Sequence, residues 1–153
     1  MDSPNKKELL DLFFNPKSVA IIGLSRSAIG NPVSVLTSLN DLNYMGEIFV
    51  VNPKMEHAPN AKVVGDILEI PEEVDLAVIS VQRERVPKTL ESCALRGIKA
   101  AIIITQGFSD SDEIGLNLQK EIDQIVVKTG IRVLGPNTIG SVSASSGFTS
   151  SFI

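Results

Sequence analysis

The sequence predicts an α/β fold: a mainly parallel sheet, doubly wound, with helices on both faces. Three observations carry this. Short continuous apolar runs recur along the chain, as in VAII at 19–22 and AAIII at 100–104. Such runs suit strands buried on both faces. Segments with apolar residues at helical spacing lie between them. Gly, Ser, Asn and Pro punctuate the ends of the runs. Strands and helices alternating at this rhythm make right-handed βαβ units.

Taken in order, residues 5–14 predict a short amphipathic helix with Leu9, Leu10, Phe13 and Phe14 as its apolar side, stopped by Pro16. Val19–Ile22 is the first strand, and Gly23 permits a sharp turn after it. Asn31 and Pro32 read as the cap and first residue of a helix carrying Val35, Leu39 and Leu42. Gly46 leads into a second strand, Ile48–Val51, closed by Asn52-Pro53. Residues 53–61 read as a loop, followed by a short strand at Lys62–Val64 and a helical turn at Asp66–Ile70. Asp75–Val81 is the next strand. Val86, Leu90, Cys93 and Ala94 then share one helical face, and Gly97 suits the helix end. Lys99–Thr105 is a strand. The run SDSDE at 109–113 supplies a cap and first-turn acids for a helix with Leu118, Ile122, Ile125 and Val126 inside and Gly130 at its end. Ile131–Leu134 is the last clear strand. Residues 141–151 are rich in Ser, Gly and Thr without helical period and read as a linker or an edge segment. The division expected is a Rossmann-like domain over 1–140, with 1–15 as a helical lead-in, and a segment 141–153 leading to a further domain absent from this chain.

At 153 residues the chain is long enough to bury a real core. A net charge of −4 and the lack of a dense Lys/Arg run argue against a nucleic-acid partner. No apolar run approaches the ~18 residues that span a bilayer, and the first residues lack the apolar core of a signal peptide. One cysteine excludes an internal disulfide, and one cysteine with one histidine assembles no zinc site. These points favour the cytoplasm, and no membrane partner or metal is expected.

In such sheets ligands bind beyond the C-terminal ends of the strands. The residues there are Ser25-Arg26-Ser27, Asn52-Pro53-Lys54, Gln82-Arg83, Thr105-Gln106-Gly107 and Gly135-Pro136-Asn137. A strand, a small polar turn and a helix start form a site for phosphate, because the first helical N–H groups lack intrahelical partners. The turn holds only Gly23 and Gly30 of a dinucleotide fingerprint. An NAD site also wants an acid at the end of the second strand, where this chain has Asn52-Pro53-Lys54. An ammonium there attracts a ribose phosphate that a carboxylate would repel. Lys54 therefore favours coenzyme A (CoA) or NADP over NAD, unless it is an ordinary solvated lysine. A branched side chain at Gly23 is expected to remove ligand binding more than folding.

The segments NPKSVAIIGLS at 15–25, VNPK at 51–54, IPEEVDLAVI at 70–79, GIKAAIII at 97–104, GF at 107–108 and GIRVLGPN at 130–137 stand in one order along the chain. Together they resemble the N-terminal CoA-binding domain of the NDP-forming acyl-CoA synthetases, and more distantly the α subunit of succinyl-CoA synthetase. The resemblance implies that Gly23, Ser25, Arg26 and Ser27 form a phosphate-binding turn and that Lys54 meets a CoA phosphate. It implies that Val81 contacts the nucleotide end and that Thr105, Gln106 and Gly107 follow the pantetheine. Gly135, Pro136 and Asn137 would lie near the thiol, with Asn137 orienting the acyl site. Gln82-Arg83 depart from a proline frequent in the family, and Thr138 from a frequent cysteine. The family's phosphohistidine belongs to another domain, so no catalytic residue is assigned here. ATP or ADP and Mg would act only through absent domains or a partner subunit, and the chain alone would have no synthetase activity.

Plainer readings stand beside these. His57, in a Pro-rich loop, reads as a surface residue. Cys93 lies on an apolar helix face and reads as a buried thiol. Asp110, Asp112 and Glu113 read as caps. Arg83 and Arg85 either solvate a helix start or meet phosphate. Asn137 either holds its own turn or serves a ligand. Beside the ligase reading stand a CoA- or NAD(P)-binding sensing module without catalysis and the CoA-binding part of a protein acetyltransferase.

Overall fold

The structure is a computed structural model describing residues 5–25 and 34–151. Six strands form one parallel sheet: β1 (Ser18–Ile22), β2 (Glu47–Val51), β3 (Lys62–Val64), β4 (Leu76–Ile79), β5 (Ala100–Ile103) and β6 (Arg132–Leu134). Their order is β3-β2-β1-β4-β5-β6. The chain thus starts in the middle of the sheet and builds outwards twice, the doubly wound, Rossmann-like arrangement expected. Strand order reverses between β1 and β4, and a crevice opens there at the strand ends.

Alternation along the strands divides the core into two layers. Ala20 and Ile22 of β1 and Ala77 and Ile79 of β4 face one layer, with Val86, Leu90 and Cys93 of α3 (Val86–Arg96) and Leu118 and Ile122 of α4 (Glu113–Thr129). Val19, Ile21, Leu76 and Val78 face the other, with Val35, Leu36 and Leu39 of α2 (Val35–Asp41). Every residue of β1 is buried, which is why its sequence shows no polar alternation.

Helix ends follow local chemistry. Helix α1 (Lys6–Phe14) opens with a capping box: Asn5 Oδ1 accepts from Glu8 N at 3.0 Å, and Glu8 Oε2 accepts from Asn5 N at 3.0 Å. Asp112 caps α4 by accepting from Gly115 N at 2.7 Å. Gly97 and Gly130 take the left-handed conformation at the ends of α3 and α4. The helix start read at Asn31 and Pro32 lies outside the described residues. Helix α2 as described is capped by Ser34, which accepts from Thr37 N at 3.1 Å.

Three sequence expectations are corrected. On α1 the inner side is Leu9, Leu12 and Phe13, all half-buried, whereas Leu10 and Phe14 are exposed. The helix touches the domain along the narrow stripe that Leu9, Leu12 and Phe13 make at i, i+3 and i+4, and Leu10 and Phe14 fall to one side of it. Leu42 is exposed, because it is the C-cap of α2 and not part of its inner face. Residues 141–151 form neither a linker nor an edge of the main sheet. They fold into an antiparallel hairpin of β7 (Val142–Ser143) and β8 (Phe148–Thr149). Phe148 is fully buried and meets Tyr44 edge-on, with ring centroids 5.6 Å apart. Ser141 Oγ donates to Phe13 O at 2.7 Å, and Ser146 Oγ donates to Phe14 O at 2.9 Å. Hydroxyls that hydrogen-bond to the distant end of α1 explain a packed segment with polar composition.

Cys93 is wholly buried on α3, and burial pushes its thiol pKa up to about 12. At neutral pH it is a thiol with no access to solvent, not a nucleophile. The folded chain should therefore not react with a thiol-specific dye over a time in which the chain unfolded in denaturant reacts fully. Rapid labelling of the native chain would show that α3 opens readily.

Candidate functional site

A cleft of about 630 Å³ opens at the C-terminal ends of β1, β2 and β4. Its floor is Ile22, Val51 and Val81, where three strands end. One wall is the β1 turn, Gly23-Leu24-Ser25, with Asn52-Pro53-Lys54 after β2. Another is Gly65-Asp66-Ile67 after β3, and a third is the N-terminal part of α3 with the residues that lead into it.

The turn after β1 depends on Gly23, at φ +103°. A Cβ at Gly23 would lie 2.5 Å from the Ser80 carbonyl oxygen and 3.0 Å from Val81 N. The glycine thus lets the β1 turn pass against the backbone that ends β4. The close approach is to the protein's own chain, so the expectation that a side chain there would harm binding more than folding is reversed.

Asn52 ties β2 to the same turn. Its Nδ2 donates to Leu24 O at 2.8 Å, and its Oδ1 accepts from Lys54 N at 2.8 Å. An ionised acid could accept but not donate. The position that would hold ribose hydroxyls in an NAD site is occupied by a residue that braces the turn, and Lys54 follows, exposed at the rim.

The two arginines after β4 separate. Arg83 is held: its Nη1 donates to Gly107 O at 2.8 Å and to Asp112 Oδ2 at 3.0 Å, and its Nε donates to Glu84 at 3.0 Å. It braces the start of α3 against the turn after β5. Asp112 has its carboxyl held below the usual range, first by the Gly115 N–H and then by Arg83. Both interactions favour the carboxylate, so their contribution to stability is present above the ordinary Asp pKa and fades as pH falls through the lowered one. Arg85 instead lines the cleft.

Of the residues expected at the site, the structure brings Gly23, Ser25, Lys54 and Val81 together in the cleft. Arg26 and Ser27 lie outside the described residues. Thr105, Gln106, Gly107, Pro136 and Asn137 form a second group beyond β5 and β6, outside the cleft lining. There Thr105 Oγ1 donates to Val81 O at 2.7 Å. Asn137, at φ +56°, donates its backbone N–H to Thr105 O at 2.9 Å and its Nδ2 to Asp110 Oδ2 at 2.9 Å. Asp110 also accepts from Phe108 N at 3.2 Å, so it caps a turn and holds Asn137 as well. Asn137 joins two loops through both backbone and side chain. His57 is exposed in the loop between β2 and β3.

Gly65, Lys88, Thr89 and Ser92, which were not expected at the site, also line the cleft. A signal existed for three of them. Arg85, Lys88, Thr89 and Ser92 recur at helical spacing directly after a strand end, on a face beside the inward stripe of Val86, Leu90 and Cys93. Among the described residues no group of His, Cys, Asp and Glu could hold a metal ion, and no helix is long and apolar enough to cross a membrane.

Comparison with known proteins fits this geometry. The chain is 42% identical over 146 residues to the ADP-forming acetate–CoA ligase II of Archaeoglobus fulgidus, covering 95% of this chain and 21% of that protein. It is 36% identical to the α subunit of ADP-forming acetate–CoA ligase II of Pyrococcus furiosus, covering 95% of this chain and 32% of that protein. Among solved structures, the apo dinucleotide-forming acetyl-coenzyme A synthetase 1 of Ca. Korarchaeum cryptofilum superposes with a TM-score of 0.83 at 32% identity, over 94% of this chain and 31% of that one. The chain thus spans between a fifth and a third of the length of these relatives. A family model described as a CoA binding domain matches residues 17–144, from the start of β1 to the hairpin, and the chain belongs to that family.

Proposed function

We propose that this chain is the CoA-holding part of an ADP- or GDP-forming acyl-CoA synthetase, acting in the cytoplasm. The observation that carries the reading is the cleft: a backbone turn at the central strand end, with Lys54 and no acid at the end of β2. Its ligase relatives support the choice of CoA over NADP. In this reading the cleft takes the nucleotide part of CoA, with the β1 turn against phosphate and Lys54 on a phosphate beyond it. The second group, from Thr105 to Asn137, guides the pantetheine and its thiol. The chain's contribution is positioning: a held thiol attacks the acyl carbon of an acyl phosphate as an intramolecular neighbour would, the C–S bond forming as the C–O bond to phosphate breaks, with inorganic phosphate leaving and the thiol proton lost to solvent or to that phosphate. The acyl phosphate, ATP or ADP, Mg and a phosphate-carrying histidine come from further ligase domains or a partner subunit. Exposed in a loop, His57 has no described partner to orient it for that role.

Calorimetry with CoA and NAD tests the reading. CoA should bind and NAD should not, and Lys54→Ala should weaken CoA by about 1.5–3 kcal/mol, the range of hydrogen bonds to charged groups. Tight NAD binding without CoA binding would overturn the assignment.

A further inference from the structure

We propose that Arg85 and Lys88 form, with Lys54 across the cleft, a clamp for a ribose-bound phosphate monoester, and that this clamp sets a preference for 3′-phosphorylated over dephosphorylated CoA. The inference deepens the CoA reading and rests on it.

The cleft is lined by three cations, Lys54, Arg85 and Lys88, and two carboxylates, Asp66 and Glu84. Glu84 is already paired with Arg83 at 3.0 Å. Among the described residues, none of the three cations has a carboxylate within ion-pair distance. A surface that places three unpaired cations around one concavity attracts an anion of more than single charge. A phosphate monoester carries close to two charges at neutral pH, whereas each phosphorus of a pyrophosphate diester carries one.

Arg85 is the N-cap residue of α3 and makes no side-chain cap, Lys88 follows within the first turn, and that turn contains no acid. A helix N-terminus is the positive end of the helix dipole, so cations there oppose it. Local helix chemistry alone would favour Ser, Asp or Glu at these places. The Arg85 and Val86 N–H groups are already taken by Gln82 O and Arg83 O in the turn that leads into α3, so the cations are what an anion held between the helix start and the opposite wall would satisfy. Pro87 at the helix start keeps the turn firm without using a needed donor. Thr89 and Ser92 extend the same face with hydroxyls toward the cleft.

The test compares CoA, 3′-dephospho-CoA and adenosine 3′,5′-bisphosphate by calorimetry on the wild type, Arg85→Ala, Lys88→Ala and Lys88→Glu, with thermal melts of each ligand-free chain. Lys88→Ala and Arg85→Ala should each weaken CoA about tenfold and 3′-dephospho-CoA less than about threefold, as loss of a charged contact to one phosphate requires. Lys88→Glu should weaken CoA further, while the ligand-free variants melt no lower than the wild type, because an unfavourable helix charge is removed. Equal losses for CoA and its dephospho form would overturn the clamp and move these cations to the pyrophosphate. A lower melting point in Lys88→Ala would overturn it too, by showing a structural role. If CoA binds and the variants change nothing, the clamp fails and the CoA reading stands. If adenosine 3′,5′-bisphosphate binds in a Lys88-dependent way but CoA does not, the clamp stands and the CoA reading fails.

Discussion

Gly23→Val should destabilise the fold by about 2–5 kcal/mol, a large share of the ~5–15 kcal/mol that holds a typical domain. The native backbone at this position has φ +103°, a region that a β-branched residue enters only at a cost of roughly 1–2 kcal/mol. The added side chain also meets the Ser80 carbonyl, which cannot move aside without breaking the β1–β4 pairing. Overpacking of this kind costs about 1–3 kcal/mol more. Ser80 N donates to Ile22 O at 2.9 Å, so the collision falls on the last rung joining the two central strands. Denaturant unfolding followed by circular dichroism should show a large drop in midpoint. Gly23→Ala, with the same φ strain but less bulk, should fall between. A Gly23→Val chain as stable as the wild type would mean that the turn is not held against β4.

Phe148→Ala should cost about 3–5 kcal/mol, the range for emptying a buried aromatic site. Phe148 is fully buried between Tyr44 and the layer that contains Leu36 and Leu39. The cavity cannot close easily, because the hairpin is pinned on both sides. Ser150 Oγ accepts from Ser141 N at 2.8 Å, and Ser141 in turn reaches Phe13 O. The loss should appear as one cooperative transition shifted to lower denaturant with little change in slope. A loss below about 1 kcal/mol would mean that the hairpin is not part of the domain's cooperative unit.

What could be read from the sequence divides along physical lines. Strands β1, β4 and β5 were legible because both sheet faces are covered, so nearly every residue in them is apolar. The ends of α3 and α4 were legible because Gly97, Gly130 and Asp112 act through their own turns. Of the residues that line the cleft, Gly23, Ser25 and Lys54 were legible because each follows a strand end, whereas Val81 came only from the family resemblance. The hairpin was not. Its stabilising groups are hydroxyls that bond to residues about 130 positions earlier, as Ser141 does to Phe13, and polar composition alone looks like a linker.

The sequence by itself determined the alternation of strands and helices, the parallel sheet and the absence of an acid after β2. Those follow from period, turn chemistry and charge, which are local. Only the tertiary structure decided that Gly23 packs against Ser80, that Arg83 is consumed by Asp112 and Gly107 while Arg85 two residues on faces the cleft, and that Lys54 and Lys88 share one cavity. Each of these depends on which strand ends meet at the reversal of strand order. That meeting is set by long-range packing of the two layers, and no window of sequence contains it.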